Sequence, residues 1–197
     1  MGFEVVTKLE DKVASFFGAP YAIATDSCTH AVELCLRYEQ PYEVTFPPHT
    51  YPSVPFLGQK LGLRWSWKEE EWVDYYQIGN TNIYDAAVLW KMGGYIPSTH
   101  MCLSFQYQKH LKIGRGGMIL TDNKEAFEML SEMVYDGRNS RTIPWREQNI
   151  RTVGYHYYMT PEAAQAGLDQ FEDAVLREPK IWTDRDYPDL RTMDVFK

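Results

Sequence analysis

The spacing of apolar residues divides this chain into alternating helices and strands. Phe3, Val6, Leu9, Val13 and Phe16/Phe17 recur at helical intervals, with Lys8, Glu10, Asp11 and Lys12 on the other side. That pattern predicts an amphipathic helix over residues 3–17, ended by Gly18 and turned by Pro20. Residues 21–25 form a short apolar run, a strand, followed by the polar turn Asp26-Ser27-Cys28-Thr29 and a helix to about Tyr38. Residues 44–46 read as a strand, residues 47–52 as a proline-stiffened loop, and residues 53–61 as a helix weakened by Pro55 and Gly58. Two further apolar runs, 101–105 and 118–121, read as buried strands. Residues 123–135 carry Ala126, Met129, Leu130, Met133 and Val134 on one helical face, closed by Gly137. A last helix starts at Thr160-Pro161-Glu162 and runs to about Leu176. Strands interleaved with helices predict an α/β fold.

Composition narrows the class without naming the chemistry. At 197 residues the chain makes one domain, and 44% apolar with 15% aromatic residues is ample for a packed core. A net charge of −7 disfavours nucleic acid as partner. Basic residues are scattered and no apolar run approaches the roughly 18 residues of a spanning helix, so no membrane association is expected. Cys28, Cys35 and Cys102 are odd in number and widely spaced, as in a reducing cytoplasm. Cys28, His30 and His49 lack the spacing of a complete ligand set, so no metal site is expected.

Candidate chemistry concentrates between the two apolar runs. Lys109 lies just past a strand end, in a loop that finishes Gly114-Arg115-Gly116-Gly117, and strand ends are where α/β sheets place ligands. A lysine there is a nucleophilic amine toward a carbonyl if its surroundings lower its pKa; otherwise it is a solvated surface residue. Ser104, five residues earlier, offers a hydroxyl to a phosphate. The strand–turn–helix at 21–38 is a natural anion cradle, since free amides and the helix dipole converge at Ser27-Cys28-Thr29. It is equally an ordinary helix cap.

The segment Ser-Phe-x-x-x-Lys-x-Leu-x-x-Gly-x-Gly-Gly, residues 104–117, resembles the lysine segment of the DegT/StrS-type sugar aminotransferases, which are fold-type I pyridoxal phosphate (PLP) enzymes. The resemblance implies that Lys109 carries PLP as an internal aldimine and that Ser104 contacts its phosphate. Arg115 stands where the family usually has Glu. Ser27-Cys28-Thr29-His30-Ala31 resembles the family's phosphate turn Ser-Gly-Thr-x-Ala, which assigns Cys28 and Thr29 to cofactor binding. Tyr51, in a Pro-x-x-Thr-Tyr segment, corresponds to the ring that stacks on the cofactor. Ile83-Tyr84-Asp85-Ala86-Ala87 resembles Ile-Glu-Asp-Ala-Ala, whose Asp keeps the pyridine nitrogen protonated so that the ring acts as an electron sink. Without the resemblance, Asp85 reads as a helix N-cap. Gly154 to Met159 resembles Gly-x-Asn-x-Arg-Met, with His156 for the Asn that reaches the partner subunit's phosphate and Tyr158 for the Arg.

The implied fold is the three-layer large domain of fold-type I enzymes with a reduced, mostly parallel sheet. A βα segment after Leu63 is lost or rebuilt, leaving sheet edges that need cover. The family's C-terminal small domain has no counterpart, so residues 1–176 form the reduced cofactor domain and 177–197 an irregular tail. Val88 replaces a Gln that contacts the cofactor in the family. The implied activity is transfer of an amino group from a glutamate-like donor to a nucleotide-linked keto sugar, in a homodimer. Two other readings use the same residues: a non-catalytic remnant serving as a binding or assembly partner, favoured by the lost segments, and a different PLP reaction such as sugar dehydration, against which Lys109 argues.

Overall fold

The computed structural model describes residues 2–197. Helix α1 (Glu4–Phe17) precedes strand β1 (Tyr21–Thr25), helix α2 (Cys28–Glu39) and strand β2 (Glu43–Phe46). Helix α3 (Ser53–Lys60) and strands β3 (Arg64–Trp67), β4 (Tyr76–Gln77) and β5 (Ile83–Asp85) follow. Strands β6 (His100–Ser104) and β7 (Gly117–Thr121) flank the lysine loop, and α4 (Lys124–Val134) and α5 (Pro161–Leu176) complete the helices. Gly18 caps α1 at φ +77°, a conformation that costs glycine no side-chain clash. Ser27, Asn123 and Thr160 cap α2, α4 and α5 through their side chains.

Five strands form one sheet in the order β1-β7-β6-β5-β4, and β2 and β3 make a separate parallel pair. The sheet is mixed. Strands β1, β5 and β6 point one way and β7 and β4 the other, yet β5–β6 is the only adjacent pair bonded in parallel. The expected parallel character therefore holds for strand direction and not for pairing. Its cause is the link from β6 to β7, a loop without a crossover helix, which obliges β7 to return antiparallel.

Side-chain alternation explains the three layers. Met101, Leu103, Met118 and Leu120 face one way into a core with Val5, Leu9, Phe17 and Phe171 of α1 and α5. Ile23, Cys102 and Ile119 face the other way, against Leu34 of α2 and Leu130 of α4. Both sheet faces are covered, so the central strands are apolar throughout instead of alternating with polar residues. Buried Glu10 ties the layers together: its carboxylate accepts the Ala24 N–H at 2.8 Å and pairs with Arg141 at 2.8 and 2.9 Å.

The edge beside β5 is closed within the chain. Strand β4 pairs there, and the segment after α5 runs back across it in short 3₁₀ turns, bridging Val73 to Thr183 and His49 to Asp189. No helix of the described residues is long and apolar enough to cross a membrane.

Candidate active site

The lysine loop is built from backbone bonds outward. Phe105 N–H donates to Gly116 O at 2.9 Å, Ile113 N–H to Phe105 O at 3.0 Å and Tyr107 N–H to Gly114 O at 3.2 Å. Phe105 and Leu111 are buried and peg the loop to the core. Between these pegs Lys109 turns inward, into a cavity of about 330 Å³. That volume is at the small end of ligand sites.

Six of the seven expected site residues, Cys28, Thr29, Tyr51, Asp85, Ser104 and Lys109, line this one cavity. They arrive from several separate elements and loops. The parallel pairing of β5 with β6 sets Asp85 beside Cys102, at the same sheet end as Ser104. The first turn of α2 brings Cys28 and Thr29, and Thr29 Oγ1 lies 2.7 Å from Ser53 Oγ at the start of α3. Tyr51 stands at the mouth, 59% exposed. His156 lies outside the cavity: it is exposed, 3.1 Å from Asp136 and 3.1 Å from the Tyr158 hydroxyl.

Asp85 is not a helix cap. It ends β5 and closes a local turn, its Oδ1 accepting Ala87 N–H at 2.9 Å, with no helix following. Its Oδ2 accepts the Tyr76 hydroxyl at 2.6 Å, and Cys28 Sγ lies 4.0 Å away. Burial raises the Asp85 carboxyl above its usual value, against the pull of Tyr76, Ala87 N–H and Lys109. Burial likewise lowers the Lys109 amine, against the attraction of Asp85. Both groups are thus pushed toward their neutral forms in the free protein, as a catalytic amine requires. The Cys28 thiol is pushed well up by burial and by Asp85, so it stays protonated.

Sequence reasoning missed one whole wall. Trp72, Asp74, Tyr76, Trp182, Asp186 and Tyr187 line the cavity from the acidic stretch after β3 and from the tail. The only sequence signal was an unusual density of Trp and Tyr in two otherwise charged, aperiodic segments. Arg115 also faces the cavity rim, held by Asp26 at 2.8 Å.

The donor set suits PLP. An inward amine faces a buried carboxylate across a cavity with the N-terminus of a 12-residue helix and the hydroxyls of Thr29, Ser53 and Ser104 at its edge. Amine, carboxylate and anion cradle are what an aldehyde, a pyridine nitrogen and a phosphate need.

Comparisons with known proteins agree with this architecture. No curated protein sequence matches the chain. Among solved structures, AtS13 from Actinomadura melliaura superposes with a TM-score of 0.78 at 20% identity, over 88% of this chain and 61% of its own. Spr1654 from Streptococcus pneumoniae, a sugar aminotransferase candidate solved in its PLP form, gives 0.69 at 18% identity over 87% and 59%. DesI, solved in the presence of its TDP-sugar product, gives 0.67 at 17% identity over 88% and 54%. The chain thus spans about three-fifths of the length of these proteins. The sequence model of the DegT/DnrJ/EryC1/StrS aminotransferase family matches residues 2–63 and 91–178. Asp85 and the whole aromatic wall fall outside those two stretches, whereas the phosphate turn, Tyr51, Ser104, Lys109 and His156 fall inside. Those two matches cover most of the sequence, and the chain belongs to the DegT/DnrJ/EryC1/StrS aminotransferase family.

Proposed function

We propose that the cavity binds PLP and that the protein is an aminotransferase acting on a nucleotide-linked keto sugar, with a glutamate-like amino donor. The observation that carries this reading is the meeting of Lys109 and Asp85, each driven toward neutrality by burial, in one cavity of a chain of this family. With PLP bound, Lys109 Nζ would be the group that holds its aldehyde, and the same amine would serve as the base that moves a proton at the reacting carbon. When bound, PLP supplies the electron sink for that proton transfer. Asp85 would hold the charge on the ring nitrogen, its Oδ2 fixed by the Tyr76 hydroxyl at 2.6 Å. Thr29, Ser104, Cys28 and the free amides at the start of α2 would hold the phosphate, and Tyr51 would supply the stacking ring.

DesI, solved with its TDP-sugar product, supports the acceptor class. We assign residues 1–176 to the cofactor unit, with residues 177–197 as a tail that completes its cavity wall, and place the protein in the cytoplasm, where thiols such as the free Cys28, Cys35 and Cys102 stay reduced. A homodimer accounts for His156, which is exposed and lies outside the Lys109 cavity; in the dimer it contacts the partner's phosphate turn. The test is spectroscopic. Protein saturated with PLP is expected to lose its PLP absorbance band on adding glutamate and to regain it with a keto-acid acceptor. A PLP band indifferent to amino donors would favour the second reading, a PLP-binding assembly partner, to which Val88 in the cavity lining points.

A further inference from the structure

The two stretches that the family match leaves out find each other in the fold. Residues 64–90 and the tail beyond 178 are both outside it. Asp74 N–H donates to Trp182 O at 2.8 Å, Trp182 N–H to Asp74 Oδ1 at 2.9 Å, and Asp184 N–H to Trp72 O at 3.2 Å. Farther along, Leu190 N–H donates to Pro48 O at 3.0 Å and the Leu190 side chain is fully buried, while His49 Nδ1 lies 2.9 Å from Tyr187 O. The tail is therefore a strap fastened at both ends, and the cavity lies between the fastenings.

What the strap presents to the cavity is aromatic. The Tyr187 hydroxyl is 3.5 Å from Lys109 Nζ, and the Trp182 ring centroid is 5.5 Å from the same atom. Trp72, itself buried, backs Tyr187 at 5.5 Å between ring centroids. On that side of the amine, rings stand where water would otherwise be. Burial keeps the Tyr187 phenol well above its ordinary value, helped by Asp85 and Cys28, so it is a neutral group beside the amine.

We propose that the strap is a working part of the lysine site: Trp182 and Tyr187 form the wall that shuts water from the Lys109 amine and fixes its position. This rests on the cofactor-binding reading above and deepens it. The two rings are positioning residues, acting on the reaction through Lys109. The tail pairs with the segment before β4, and the two together supply the dry surface beside the amine. A desolvated ammonium loses stability relative to the neutral amine, so removing the rings is expected to restore ordinary lysine behaviour.

The experiment uses the 197-residue chain free of PLP. Acetic anhydride labels lysine amines only when they are neutral, and peptide mass spectrometry reads Lys109 separately from Lys124, whose side chain is 74% exposed and serves as the internal reference. The wild type is expected to label at Lys109 with a midpoint at lower pH than at Lys124. In Trp182→Ala and Tyr187→Ala the Lys109 midpoint should move up toward that of Lys124, while Trp182→Phe keeps the wild-type profile. Should the alanine variants lose their fold, Trp182→Leu keeps an apolar anchor but lacks the ring's reach, and the same upward shift is expected. Folded variants with an unchanged Lys109 profile would overturn the role of the strap, whatever PLP does. Adding PLP to unlabelled wild-type protein separates the two claims: no PLP absorbance band would overturn the cofactor reading.

Discussion

Gly117 is where the sheet and the phosphate turn come closest, and adding one methyl there tests how the cradle is held. A Cβ on Gly117 would stand 2.4 Å from Ser27 C, 2.5 Å from Cys28 N and 2.7 Å from Ser27 O, all of them backbone atoms. Carbon contacts settle near 3.5–4.0 Å, so the two segments would have to part by about 1 Å. Strand β7 cannot yield, because it is bonded to β1 on one side and β6 on the other. The turn therefore moves. Overpacking of this kind costs about 1–3 kcal/mol, which in a chain of this size lowers the melting temperature by roughly 2–12 °C. A displacement of about 1 Å at a binding group can also cost on the order of a hundredfold in function. Gly116→Ala is the control. Its Cβ would meet Ile113 Cδ1 at 2.6 Å and Met159 Cε at 3.1 Å, side-chain ends that can rotate away. Thermal unfolding and PLP titration of both variants form the assay. Gly117→Ala should lose both stability and PLP affinity, and Gly116→Ala much less of either. A Gly117→Ala protein with wild-type melting temperature and affinity would refute the close packing of turn on strand.

Other predictions follow from single contacts. Asp85→Asn should keep part of the PLP binding and lose most of the half-reaction rate with glutamate, read by stopped-flow absorbance; an unchanged rate would leave Asp85 a mere turn residue. Glu33 is fully buried, and although burial opposes its charge, Lys60 at 2.7 Å and Arg37 at 2.8 Å hold its carboxyl below the usual value. Its contribution is therefore complete above the unfolded value of about 4.3 and is lost as pH falls through the lower folded one. Glu33→Gln should cost about 2 kcal/mol at pH 7 in urea unfolding and flatten the acid limb of the stability curve, and an acid limb like that of the wild type would exclude the role. Light scattering across a dilution series should give twice the monomer mass, with His156→Ala lowering PLP affinity; a monomer that binds PLP stoichiometrically would show the site complete in one chain.

The central framework was legible because its signals are local. Gly18, Ser27, Asn123 and Thr160 announce helix ends through their own backbone or side-chain bonds, and the helices begin and end beside them. The largely apolar runs at 101–105 and 118–121 gave β6 and β7 because both sheet faces are covered. Pairing direction was not legible, since it depends on whether the β6–β7 link crosses the sheet, which no side-chain period records. Asp85 lost its helix because Ala86 and Leu89 are drawn into the core under α1 as a turn, a tertiary preference that outweighs alanine's helical one. The aromatic wall was invisible for a similar reason: Trp72 and Trp182 come together only through the pairing of residues 73–74 with 182–183, more than a hundred positions apart.

The most direct test of the account is where PLP attaches. Purified protein incubated with PLP and reduced with borohydride, then digested and analysed by peptide mass spectrometry, should carry the pyridoxyl mass on Lys109. A label on Lys112, or no label on any lysine, would contradict it.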